Sequence, residues 1–347
     1  MYRVTYLVRC RGGLKREARP APPHAAERAR THVMRAAVSA LAEALESYCA
    51  PWAAADARFW TVPPAYHVEE LLFSTTIAIV AGIAARILGS FGKKRATTIK
   101  PVVAKISKAE ASLGRFLQIM FALNFINKQF VQSMPLERTL LELALLPCHV
   151  FTAMCIFCLL GTSHAARSTT YSLLLYCAWM PAMALAFPDL NSARALSTKV
   201  LRYGSLGLFF GHHITLLLTP VYLHRLATSK AKRFTPPTPP GLGLLQYLSF
   251  IYTFIGVVLC AAALLTGRNL NYSLWPPNVP AQVHLLLGGA RYRATVGLIL
   301  AFVAGPLMRH AVVPLASGFV LPWVYSQGVA RKSGSVDRTT RKKTKVS

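Results

Sequence analysis

Apolar residues run along this chain in long blocks separated by short, mostly basic, polar segments. Seven blocks stand out, at about 69–90, 110–129, 140–161, 169–188, 203–223, 242–266 and 295–317. A helix rises about 1.5 Å per residue, so about 20 apolar residues cross the roughly 30 Å hydrocarbon core of a bilayer. The pattern predicts an all-α fold, a polytopic membrane helix bundle of about seven transmembrane helices. The second block is the weakest, because Arg115, Asn124, Asn127 and Lys128 interrupt it. The seventh is set to bend or continue past Pro314, since Leu315 to Tyr325 is also largely apolar. Proline is tolerated inside a membrane helix but kinks it.

The blocks divide the chain into three parts. Residues 1–65 form an N-terminal basic and amphipathic extension, residues 66–326 the seven-helix membrane domain, and residues 327–347 a polar, basic tail that reads as disordered. Met1 to Pro20 is Arg-rich and nearly free of acid, without the apolar core of a signal peptide. A transit peptide fits it, and so does an untranslated upstream stretch, with Met34 opening a shorter chain. Ala25 to Tyr48 reads as an Ala-rich amphipathic surface helix. Residues 229–242 form a Pro-rich linker.

Composition supports the membrane reading. The chain is 54% hydrophobic and only 15% charged, where soluble domains carry about 25% charged residues. Its net charge is +27, from 39 Lys and Arg against 12 Asp and Glu. So basic a chain raises nucleic-acid binding. The positive residues, however, sit in tails and loops between apolar blocks, where membrane topology needs them, and no nucleic-acid partner is expected. The side holding Lys93, Lys94, Arg95, Lys100, Lys105, Lys108, Arg167, Arg225, Lys230, Lys232, Arg233 and the basic tail is the richer. It is assigned to the cytoplasm, which places the N-terminus outside or in a lumen.

The candidate chemistry lies at membrane depth. The third block contains Pro147-Cys148-His149, and the fifth contains Gly211-His212-His213. In the topology above, Cys148 and His213 both lie about eight to ten residues, roughly 12–15 Å, from the non-cytoplasmic side. Asn269-Leu270-Asn271 follows the sixth block on that same side. Ionisable groups at such depth usually face a cavity or a site. A Cys and a His that meet there form a thiolate nucleophile with its base. Plain packing is the competing reading: a kink beside a buried thiol, and histidines bonded between helices. Cys148 and His149 diverge by about 100° on a helix, as do His212 and His213, so at most one of the latter two faces Cys148. Glu142 is placed to orient a histidine or to pair with Lys128 or Arg202. Cys155 and Cys158 form an isolated CxxC, read as packing residues. There is no HExxH, no GxSxG elbow, no HxxxxD box, no carboxylate-rich metal set and no glycine-rich phosphate loop. No metal or cofactor is expected.

Five short motifs in order resemble the transmembrane protein 164 family. They are Pro147-Cys148-His149; Phe187-Pro188 with Asn191; His213 followed by Pro220-Val221-Tyr222; Asn269-Leu270-Asn271; and Ala304-Gly305-Pro306-Leu307. The resemblance covers about residues 69 to 315. It implies a membrane acyltransferase that moves a fatty acyl chain onto a lysophospholipid of the ether phosphatidylethanolamine type. It also implies Cys148 as the nucleophile, forming a thioester, and His213 as the base. His149, His212, Asn269, Asn271 and Glu142 are the further candidates for substrate or oxyanion contacts. The sequence departs from the family pattern at His212, at Trp275-Pro276 after the Asn-Leu-Asn, at Met134–Thr139, and in Ala281–Arg293, where His284 is the single histidine. The expected partners are membrane phospholipids and lysophospholipids, and the expected compartment is the endoplasmic reticulum. The rival functions are a transporter or channel for a small solute or lipid, and a non-catalytic membrane scaffold.

Overall fold

The computed structural model describes residues 23–56, 58–95, 106–188, 190–228, 239–270, 273–274, 282 and 291–319. Asn271, His284, Trp275-Pro276, the N-terminal twenty residues, most of the Pro-rich linker and the basic tail lie outside the described residues. Among the described residues the secondary structure is entirely helical. In chain order the helices are α1 (Pro23–Ala55), α2 (Pro64–Arg95), α3 (Lys108–Ile126), α4 (Leu136–Leu145), α5 (Pro147–Leu160) and α6 (His164–Cys177). They continue with α7 (Trp179–Ala186), α8 (Asn191–Arg194) and α9 (Lys199–Thr228), then α10 (Pro240–Thr266) and α11 (Tyr292–Phe319).

Four helices are long and apolar enough to cross a membrane: Pro64–Ser90 within α2, then α9, α10 and α11. The pair α4 and α5 makes a fifth crossing, bent by 61°. The blocks at 110–129 and 169–188 are helical too. Glu110, Arg115 and Asn124 keep α3 less apolar than a crossing helix. The other block is divided at Ala178 into α6 and α7. The bundle's exterior is apolar in keeping with lipid contact: Leu72, Phe73, Ile79, Val80, Ile83, Ile87 and Leu88 on α2 are exposed, as are Phe302, Val303 and Leu307 on α11. A patch this large has no place on a water-soluble monomer.

Polar residues turn inward and are paired. Tyr247 of α10 is fully buried and stacks on Tyr176 of α6 with ring centroids 4.9 Å apart. Its hydroxyl accepts from Trp179 Nε1 at 2.9 Å and donates to Leu300 O at 2.7 Å, joining α7, α10 and α11. Gly305 permits this approach, because a Cβ there would lie 2.5 Å from the Tyr247 ring. Arg309 of α11 is buried, donates to Ser172 Oγ at 2.8 Å and lies 4.6 Å above the Tyr176 ring. At the same end, Arg167 donates to Cys158 O at 2.8 Å and pairs with Glu110, which closes the Ser107 capping box of α3. Cys155 and Cys158 are both fully buried.

The described residues of α1 up to Tyr48 are helical and mostly exposed, as expected of a surface helix, and the contact not foreseen lies beyond them. α1 runs on to Ala55, and its C-terminal part is seated on the bundle. Cys49 and Phe59 are buried with Leu259, Cys260, Ala263, Leu264, Leu270 and Leu274. Burial pushes the Cys49 thiol above its ordinary range, so it packs as a small apolar group, with Sγ 3.7 Å from Leu264 O. The helix end at Thr266 makes room for this contact. Gly267 closes it with φ +64°, and a Cβ on Gly267 would meet the Trp52 side chain at 2.2 Å. A left-handed residue with a Cβ costs about 1–2 kcal/mol before any clash. Gly267→Ala is therefore expected to lower the unfolding temperature in detergent by several degrees, whereas Gly89→Ala, with nothing within 4 Å, leaves it unchanged or slightly raised. Equal melting of the two variants would refute this account of the α1 contact.

Candidate functional site

The third apolar block does not kink but breaks. Leu146 is extended, with φ −67° and ψ 134°. A residue before proline is pushed out of the helical region, and proline is well suited to open the next helix. Pro147 is accordingly the first residue of α5 and Cys148 the second. His149 N and Val150 N both donate to Leu146 O, at 2.9 and 3.1 Å. The first turn of a helix presents N–H groups and the positive end of its dipole, an arrangement that favours a thiolate. The Cys148 side chain is half-buried.

Three imidazoles on α5 and α9 adjoin one another: His149, His212 and His213. His149 Nδ1–H donates to Glu142 O at 3.1 Å, a carbonyl in the last turn of α4. Its ring lies edge-on to Phe121 and 6.2 Å from the ring of His212. His212 is fully buried and saturated. Its Nδ1 accepts from Asn124 Nδ2 at 3.2 Å, and its Nε2–H donates to Thr152 Oγ at 3.0 Å. Thr152 in turn donates to Cys148 O at 2.7 Å. Asn124 gives its other hydrogen to Met120 O at 2.9 Å. This chain of bonds fixes His212 as a neutral tautomer and links α3, α9 and the carbonyl of the candidate nucleophile.

His213 is bonded differently. Its Nδ1–H donates to Phe209 O, one turn back on α9, at 2.8 Å. That leaves the lone pair on Nε2, which is buried and without a partner among the described residues. Its ring lies 5.4 Å from that of His212. The bond to α5 therefore comes from His212, while His213 keeps a free basic nitrogen. Among the described residues, no hydrogen bond joins Cys148 Sγ to an imidazole.

A charged group closes the α4 side. Glu142 is pinched between Lys128, which follows α3, and Arg138 of α4, whose Nε donates to Oε1 at 2.9 Å. Glu142 thus takes Lys128 rather than Arg202. It holds a histidine through its backbone carbonyl, not its carboxylate. Arg202 donates to Leu196 O at 3.0 Å. Ser205 donates to Asn127 Oδ1 at 2.6 Å, fixing the end of α3 to α9.

Asn269 serves its own loop: Oδ1 accepts from Leu274 N at 2.8 Å. Asn271 is outside the described residues. Sequence reasoning did not single out Thr152, although its spacing of four from Cys148 puts it over the same helix face. It also passed over a second polar group at this end of the bundle. Glu70 of α2 pairs with Arg293 of α11, which donates to Ser273 O and, at 3.2 Å, to Cys260 Sγ. His67 is fully buried within α2's first turn, with both ring nitrogens unpartnered among the described residues. Among the described residues, no cluster of His, Cys, Asp or Glu is arranged to hold a metal ion.

Comparison with known proteins adds one match. The family model described as TMEM164 family matches residues 65–308, well over half of the chain. No curated protein and no solved structure matches.

The histidine network predicts its own sensitivity. Thr152→Val leaves the buried His212 Nε2–H without an acceptor, at a cost of about 1–2 kcal/mol. Unfolding in detergent is expected at a lower temperature than in wild type. Thr75→Val serves as control, since Thr75 is lipid-facing and bonds only its own helix at Leu71 O; it is expected to melt as wild type. Unchanged melting of Thr152→Val would show that His212 is not held as described.

Proposed function

The chain belongs to the TMEM164 family, and from that membership and the geometry above we propose that it is a cysteine-dependent membrane acyltransferase acting on phospholipids. The observation that carries this reading is the division of labour among the imidazoles. His212 is saturated and holds the Cys148 backbone, whereas His213 presents a buried, unbonded Nε2 in the same cluster. A fully bonded histidine belongs to the structure. A buried lone pair with nothing to accept is a base awaiting a proton.

In the proposed reaction His213 Nε2 takes the Cys148 proton. The thiolate sulfur attacks the ester carbonyl carbon of a donor phospholipid, and the C–O bond breaks. The leaving lysophospholipid oxygen takes the proton from His213. An acyl thioester remains on Cys148. The hydroxyl of a second lysophospholipid then gives its proton to His213 as its oxygen attacks the thioester. The C–S bond breaks, and the sulfur recovers the proton. Two displacements replace one difficult transfer. The N–H of Cys148, the one amide in the first turn of α5 not given to Leu146 O, is the oxyanion donor, worth about 3 kcal/mol, and Lys128 supplies positive charge beside the thiolate. Acyl chains reach the site sideways from lipid. An ether phosphatidylethanolamine acceptor and an endoplasmic reticulum location are part of the same proposal, and rest on the family resemblance alone.

The test is labelling of protein in nanodiscs with an alkyne-acyl phospholipid. Wild type is expected to form a hydroxylamine-labile adduct, and Cys148→Ala to form none. His213→Ala is expected to slow formation by about 10²–10⁴-fold, the range of a lost general base. An adduct that persists in folded Cys148→Ala would remove Cys148 from the mechanism.

A further inference from the structure

A cleft of about 600 Å³ opens between α2, α6 and α10. It is separate from the cysteine site, which lies among α3, α4, α5 and α9, and it opens toward the other end of the bundle. α5 starts at Pro147 and turns directly into α6, so the first turns of α6 lie at the end opposite Cys148. The same end receives the close of α2 and the start of α10.

The lining is ordered by depth. Arg86 sits about one turn before the crossing part of α2 ends at Ser90. Gln246 lies six residues into α10, and Phe250, Phe254 and Val258 follow it down the helix. Leu173 of α6 forms the facing wall. Gln246 to Val258 spans about 18 Å along the helix, close to the depth of one bilayer leaflet. The lower part of this wall belongs to a π-helical segment, Tyr252–Leu259, a wider helix form that frequently marks functional sites.

Two polar groups at the wide end have nothing to bind. The Arg86 side chain is exposed and makes no hydrogen bond or ion pair with the described residues. Gln246 Oε1 is buried and unpartnered among the described residues. No Asp or Glu lines the cleft. Because the walls stand within the membrane-spanning part, what fills the cleft is a lipid chain. An unpaired guanidinium at the headgroup end complements a phosphate. With no carboxylate present, the ammonium of a zwitterionic headgroup would have no counter-charge. This is also the more basic end of the chain, assigned to the cytoplasm, whose leaflet carries the anionic lipids.

We propose that this cleft binds one anionic phospholipid, with its phosphate on Arg86 and an acyl chain along Phe250, Phe254 and Val258. Gln246 meets a hydroxyl of the headgroup or glycerol through Oε1. The bound lipid is not consumed: neither Cys nor His lines the cleft, and it fills the groove between three helices as a structural ligand.

Native mass spectrometry of the full chain released from detergent tests this, with added dioleoyl phosphatidylglycerol or dioleoyl phosphatidylcholine. Wild type is expected to retain one phosphatidylglycerol about tenfold more strongly than phosphatidylcholine, and excess inorganic phosphate to leave it bound. Arg86→Gln is expected to bring the two lipids level while leaving thioester labelling of Cys148 unchanged, which separates this site from the acyl-transfer reading. Leu173→Trp fills the cleft and is expected to weaken retention of both. Equal retention of the two lipids by wild type would overturn the proposal. So would an unchanged preference in Arg86→Gln, displacement by phosphate, or a lipid-free dimer that closes the cleft with a second copy.

Discussion

Every polar group in this molecule that sits at membrane depth must find its partner inside the protein, because hydrocarbon offers none. That constraint explains the interior. Tyr247, Trp179, Arg309 and Ser172 are wired to one another and to the Leu300 carbonyl rather than scattered. Asn124, His212 and Thr152 form a second such chain on the other side of the bundle. Small residues make both possible. At Gly243 a Cβ would fall 2.2 Å from the Arg309 guanidinium, and at Gly305 it would collide with the Tyr247 ring. Close backbone approach and buried polar pairing are the two means by which membrane helices associate, since burial of apolar surface supplies little drive in lipid.

The same constraint sorts structural from functional groups. Two adjacent histidines on one helix have opposite fates. His212 projects toward α3 and α5 and spends both nitrogens on neighbours. His213 spends one on its own helix and has no partner for the other among the described residues. The broken third span follows similar logic. Breaking the helix at Leu146 exposes backbone groups that lipid would not tolerate. The break is sheltered because Leu146 O accepts two N–H groups from α5 and Glu142 O accepts from His149. The N–H groups of the α5 first turn lie beside the one thiol of the site.

Much of this was legible in the sequence, and the rest was not, for definite reasons. The apolar blocks at 69–90, 203–223, 242–266 and 295–317 became crossing helices, because hydropathy summed over 20 residues depends little on tertiary context. Pro147 announced a disturbance in the third block. Its size, a 61° bend with an extended Leu146, depends on what α4 packs against. The relation of His212 to His213 was legible only as divergence on a helix. Deciding which one meets α5 requires the rotation of α9 against α3, which Asn124 fixes from a distance of 88 residues. The seat of α1 was illegible for a related reason. Its amphipathic pattern is short of a clear stripe, and its partners, Leu259 to Leu274, lie more than 200 residues on, with Gly267 the turn that admits Trp52.

The two ends of the bundle then differ in kind. At the end of Pro147 the buried atoms without a partner among the described residues include His213 Nε2, the ring nitrogens of His67 and Arg202 Nε. Three carboxylates there are paired: Glu142 with Lys128 and Arg138, Glu69 with Arg291 and Glu70 with Arg293. At the opposite end Arg86 has no partner among the described residues, and no Asp or Glu lines its cleft. A fixed positive charge beside an apolar slot suits holding an anionic lipid. The proposed acyl-transfer site and the proposed lipid cleft thus lie at opposite ends of the bundle. That separation suits both proposals, since a guanidinium beside His213 would oppose protonation of the proposed base.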